Sequence, residues 1–71
     1  MLSVTFKHSL YVPEALREAM DAYAPLADFK TASRARSTVI RLRNKSRLAD
    51  RDLVDEFCNY ALAITNKRRA T

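Results

Sequence analysis

The residues in this chain that could do chemistry are few, and their surroundings in the sequence decide how they are read. There is one histidine, His8, and one cysteine, Cys58. A structural zinc site needs four ligands, more than these two supply. A Cys–His nucleophile needs its thiol in an open, electropositive setting, yet both residues fall at positions that read as inward-facing. His8 reads as a hydrogen-bonded packing residue and Cys58 as a small core residue. Asp50, Asp52, Asp55 and Glu56 crowd what reads as a helix start. The helix dipole favours carboxylates there without any metal or acid–base role. Glycine is absent, so no phosphate loop or dinucleotide fingerprint can be written. The expectation is a protein that is not an enzyme, with no catalytic residue, no metal and no cofactor.

The chemistry that does emerge is basic. Lys30, Arg34, Arg36, Arg41, Arg43, Lys45 and Arg47 lie in one segment that holds no acidic residue. The whole chain carries 13 Lys and Arg against 8 Asp and Glu, a formal charge of +5. Such a surface attracts nucleic acid, anionic membrane or an acidic peptide or protein, and it also serves solubility alone.

Five elements, three strands and two helices, must position these charges. Leu2, Val4, Phe6 and His8 alternate with Ser3, Thr5, Lys7 and Ser9, the period of a half-buried strand. Pro13 suits a first helical position, where a missing N–H costs nothing. From it Ala15, Leu16, Ala19, Met20 and Tyr23 make an apolar stripe, and Pro25 stops that helix near Ala24. A second strand is expected from about Leu26 to Ala32, with Ala27, Phe29 and Thr31 on one face and Asp28, Lys30 and Ala32 on the other. A third is expected from about Ser37 to Asn44, with Thr38, Ile40 and Leu42 opposed to Val39, Arg41 and Arg43. Between them Ser33-Arg34-Ala35-Arg36 gives a hairpin, and without glycine a loop of four or five residues is favoured over a tight turn at positive φ. Asp50 to Arg69 reads as a long amphipathic helix whose stripe is Leu53, Val54, Phe57, Cys58, Ala61, Leu62 and Thr65. Asp50 is its expected N-cap, with Ser46 the earlier alternative.

The predicted fold is α+β, a single two-layer β-α-β-β-α domain over residues 1–71. Its three-stranded mixed sheet, with the first two strands parallel, would be covered on one face by both helices. A chain of 71 residues buries only about 60% of its unfolded surface, so a homo-oligomer or a larger assembly is an alternative source of stability, with Tyr60 and Ile64 available beside the long stripe. No apolar run approaches the roughly 20 residues of a membrane span, and no signal peptide is read at Met1. With one cysteine there is no internal disulfide, and a cytoplasmic, membrane-free setting is expected.

The bare face of such a sheet would carry Thr5, Lys7, Lys30, Val39, Arg41 and Arg43, with Arg34 and Arg36 at the hairpin tip. The expected partner-binding residues are Lys7, Lys30, Arg34, Arg36, Arg41 and Arg43. Three readings stay open. An acidic peptide or protein could dock there through charge-assisted bonds. Nucleic acid could bind through phosphates, although Phe6 and Phe29 have inward parity and leave no aromatic platform for bases. The face could also be solvated and basic only to discourage aggregation.

Two motifs carry a resemblance. The first strand is followed by Leu10-Tyr11, then Glu14-Ala15-Leu16 and Ala19. The last helix contains Glu56-Phe57-Cys58-Asn59-Tyr60-Ala61-Leu62. On these the chain resembles the His-Xaa-Ser system protein D family, small companions of radical-SAM enzymes in peptide-maturation gene clusters. Asn59 and Leu62 fit the family's pattern. Cys58 stands where a leucine-like residue is usual, and the tail Lys67-Arg68-Arg69 departs from the family's more mixed ending. The resemblance implies an accessory in maturation of a ribosomally made peptide, one that binds the precursor or docks on the modifying enzyme.

Overall fold

The computed structural model describes residues 2–70. Strand β1 is Leu2–Lys7, helix α1 Pro13–Tyr23, β2 Ala27–Ser33, β3 Ser37–Asn44 and helix α2 Asp50–Arg69. The α+β class and the β-α-β-β-α order stand as expected. The mixed sheet does not. The strand order is β1-β3-β2, and β3 runs antiparallel to both neighbours. The α1 crossover does return β2 in the direction of β1, but β3 lies between them, so no parallel ladder forms. The reason is burial. β3 offers Thr38, Ile40 and Leu42 as an unbroken inward row, all buried, and the centre of the sheet is the place that covers such a row from both sides.

The register fixes the two faces. Leu2, Val4 and Phe6 oppose Leu42, Ile40 and Thr38, while Ala27, Phe29 and Thr31 oppose Asn44, Leu42 and Ile40. Both helices pack on this inner face. One cluster joins Phe6 and Ile40 to Leu16, Ala19, Phe57 and Ala61, and a second joins Ala27 and Leu42 to Leu53. Phe57 is the hub, with ring centroids 5.8 Å from Phe6, 5.7 Å from Tyr23 and 5.2 Å from Phe29. Apart from the tilted Phe29 contact these meet edge to face, the arrangement the ring quadrupoles favour.

Several details depart from expectation. β2 begins at Ala27 and runs on to Ser33, so three residues connect the hairpin. Arg34 N–H donates to the Ser37 carbonyl at 2.8 Å, and no described residue has positive φ. Leu62 is 38% exposed. The buried positions of α2 are Leu53, Phe57, Ala61 and Thr65, a single row at steps of four, so the covered stripe is narrower than the apolar pattern. Asp50 is the first helical residue and Ala49 the N-cap, which makes no side-chain capping bond. Asn44 organises that approach instead. Its Nδ2 donates to the Leu48 carbonyl at 2.7 Å and to Asp50 Oδ1 at 3.0 Å, and its Oδ1 accepts from Ser46 N–H at 2.8 Å. Ser46 serves the loop, with its Oγ accepting from Leu48 N–H at 3.1 Å.

Candidate functional site: the basic outer face of the sheet

The helices leave the other face of the sheet uncovered. Its rows follow from the pairing. Asp28 lies opposite Arg43; Lys30 and Ser3 flank Arg41; Ala32 and Thr5 flank Val39; Lys7 lies opposite Ser37. All six expected contact residues, Lys7, Lys30, Arg34, Arg36, Arg41 and Arg43, are exposed. The first, second, fifth and sixth sit on the sheet face, while Arg34 and Arg36 belong to the hairpin tip. Strand parity is what delivers them there, because a period of two sends every second side chain to the same side.

The electrostatics of the rows differ. Among the described residues the ion pairs formed are Lys45 Nζ to Asp28 Oδ1 at 3.0 Å and Arg68 to Glu18 at 3.2 Å. Asp28 therefore answers positive charge at one end of the face. The sequence reading missed this because Asp28 lies just outside the acid-free segment, yet the register sets it beside Arg43. Lys30 and Arg41 are directly opposed with no carboxylate in their row. Like charges so placed repel.

At the other end a shallow open groove of about 740 Å³ lies between the end of β1 and the hairpin. Thr5, Lys7, His8 and Ser9 line one side, and Ala35, Arg36 and Ser37 the other. Backbone bonds hold it: His8 N–H donates to the Arg36 carbonyl at 2.9 Å. The His8 ring turns inward, its Nε2 2.8 Å from Thr38 Oγ1, the packing role expected of it. No sequence signal placed Ala35 and Arg36 in a groove with Lys7, since the hairpin is brought there by the pairing of β1 with β3.

The aromatic side chains are committed elsewhere. Phe6 is 2% exposed, Phe29 packs on Phe57, and Val39 is a half-buried aliphatic residue. Cys58 packs against the main core cluster. Burial pushes its thiol up from the ordinary value, with Asp55 adding to the effect. Tyr11 is raised by burial and then by Cys58. On the helix layer Tyr60 stacks edge-on to Tyr23 at 5.5 Å and extends the core edge, with Ile64 half-buried beyond it.

Among the described residues no group of three or more His, Cys, Asp or Glu is placed to hold a metal, and no helix is long and apolar enough to cross a membrane. The comparisons with known proteins name no relative: no family model, no curated protein and no solved structure matches this chain.

Proposed function

We propose that this chain is a non-enzymatic binding module that engages an acidic peptide or protein through the outer face of its sheet. The observation that carries the reading is the opposition of Lys30 and Arg41 in register with no carboxylate in their row. A repulsive pair of this kind costs the fold stability, and an anionic partner turns that cost into attraction. Lys7, Arg34 and Arg36 extend the positive surface to the hairpin, and Arg43 extends it the other way. Because Arg forms forked, charge-assisted bonds to carboxylates, a peptide rich in Asp and Glu is the fitting partner.

The resemblance in the Leu10-Tyr11 and Glu56 to Leu62 motifs supports a narrower version. The partner is then the precursor of a ribosomally made, modified peptide, or the enzyme that modifies it. The rival for the same cations is nucleic acid. Single-strand binders add stacking surfaces to their cations, and the outward row around Val39 offers none.

The test is capture of partners from native lysate by the folded protein and by its Lys30→Glu/Arg41→Glu variant, with and without nuclease. A stoichiometric acidic protein or peptide that survives nuclease and is lost by the variant is the expected result. Loss of all bound material on nuclease treatment would give the face to nucleic acid. Equal capture by the variant would remove the face from the binding role.

A further inference from the structure

We propose that the outer face reads the spacing of acidic residues, taking an extended segment with Asp or Glu at positions i and i+4 and a small apolar residue at i+2. This rests on the function proposed above and specifies its ligand.

The rows of the outer face differ in charge. Arg43 faces Asp28, whose carboxylate holds Lys45 at 3.0 Å, so an acidic side chain placed at this end meets a carboxylate of the protein itself. Arg41 is flanked by Lys30 and Ser3, which makes the first unanswered anion seat. The next outward row, Thr5, Val39 and Ala32, carries no charge. The row after it pairs Lys7 with Ser37 and opens into the groove that Arg36 also lines, which makes the second seat. Its geometry is held from both sides, by His8 N–H on the Arg36 carbonyl at 2.9 Å and by Arg34 N–H on the Ser37 carbonyl at 2.8 Å.

From Arg41 to Ser37 the strand advances four residues, about 14 Å at about 3.4 Å per residue. An extended peptide lying along β3 presents side chains on one face every second residue, about 7 Å apart. Its residues i and i+4 therefore match the two seats, and residue i+2 falls over the neutral Val39 row. A helical ligand fails this match, because its i and i+4 side chains stand only about 6 Å apart. A polyanion with charge at every step would set a charge over the uncharged middle row.

The experiment is a fluorescence-anisotropy titration at low ionic strength with isomeric labelled peptides. Each holds two Glu and one Val in a Ser/Thr background, the Glu pair spaced i,i+4 or i,i+2. A polyglutamate peptide and an oligothymidylate complete the set. The i,i+4 peptide, with Val between, is expected to bind about fivefold tighter than its isomer, the most that one exposed ion pair usually supplies. Lys7→Gln and Lys30→Gln should each erase that preference, while Arg17→Gln, which removes one positive charge from the exposed side of α1, should keep it. Equal binding of the isomers, with polyglutamate still bound, overturns the spacing and leaves the acidic-peptide function standing. Failure of every acidic peptide to bind the folded wild-type protein overturns both. Oligothymidylate binding tighter than every peptide assigns the face to nucleic acid and also overturns both.

Discussion

Thr65 shows how one hydroxyl ties this small molecule together. It is fully buried on α2, donates to the Ala61 carbonyl at 2.9 Å and accepts from Val12 N–H at 3.2 Å. The second bond anchors the entry to α1 on the last turns of the other helix. Replacing it with Val keeps the shape but leaves the Val12 donor unmet, so Thr65→Val should cost about 1–3 kcal/mol in denaturant unfolding. Cys58 makes a different prediction. Its thiol is raised by burial and by Asp55, Tyr11 is raised by burial and by Cys58, and Tyr23 by burial, Glu56 and Tyr60. Each raised acid binds its proton more tightly when folded than when unfolded. Their contribution to stability is therefore complete below the unfolded values, 9.0 for the thiol and 10.0 for the phenols, and is lost as pH rises through the folded ones. Unfolding midpoints should fall across that alkaline window, and alkylation of Cys58 should be slower in the native protein than in denaturant. A flat alkaline limb would contradict this.

At the scale of elements the start of α2 is instructive. Its carboxylates at Asp50 and Asp52 suit the dipole, yet neither residue caps the helix. Asn44, the last residue of β3, reaches over the connection and bonds both Leu48 and Asp50. Asn44→Ala should lower stability by about 1–2 kcal/mol and speed amide exchange selectively through residues 46–53. Uniform exchange changes would argue against a local role. Asp28 sits at the opposite end of the same logic. Its bond to Lys45 joins two exposed side chains, 60% and 40% accessible, so Asp28→Asn should move stability by less than about 1 kcal/mol. It should also tighten binding of an acidic peptide, because it releases positive charge at that end of the face. Weaker binding would mean that Asp28 itself contacts the ligand.

For the whole molecule, stability and binding are set against each other at one place. Lys30 opposes Arg41 on the outer face. Arg41→Glu converts a repulsive cross-strand pair into an attractive one, worth about 0.2–1 kcal/mol. The variant should therefore melt at or slightly above the wild-type temperature while losing its affinity for acidic peptide. Loss of affinity together with loss of stability would point to misfolding and would not support a binding face.

Much of this was legible in the sequence because strand and helix periods are local properties of the chain. The alternation of Leu2 to Lys7 and of Thr38 to Arg43 assigned each side chain to a face, and the outward cations followed. Pro13 and Pro25 bracketed α1 through fixed φ and a missing donor. Local periodicity carries no information about which strand lies beside which. That β3 would enter between β1 and β2, that Asp28 would meet Arg43, and that Lys7 would share a groove with Arg36 were decided by tertiary packing. The most continuously buried strand took the centre of the sheet, and its register then fixed every neighbour across the face. The narrow stripe of α2 has the same origin. Apolar residues such as Leu62 satisfied the helical pattern, but the width of the inner sheet face determined how many of them could be covered.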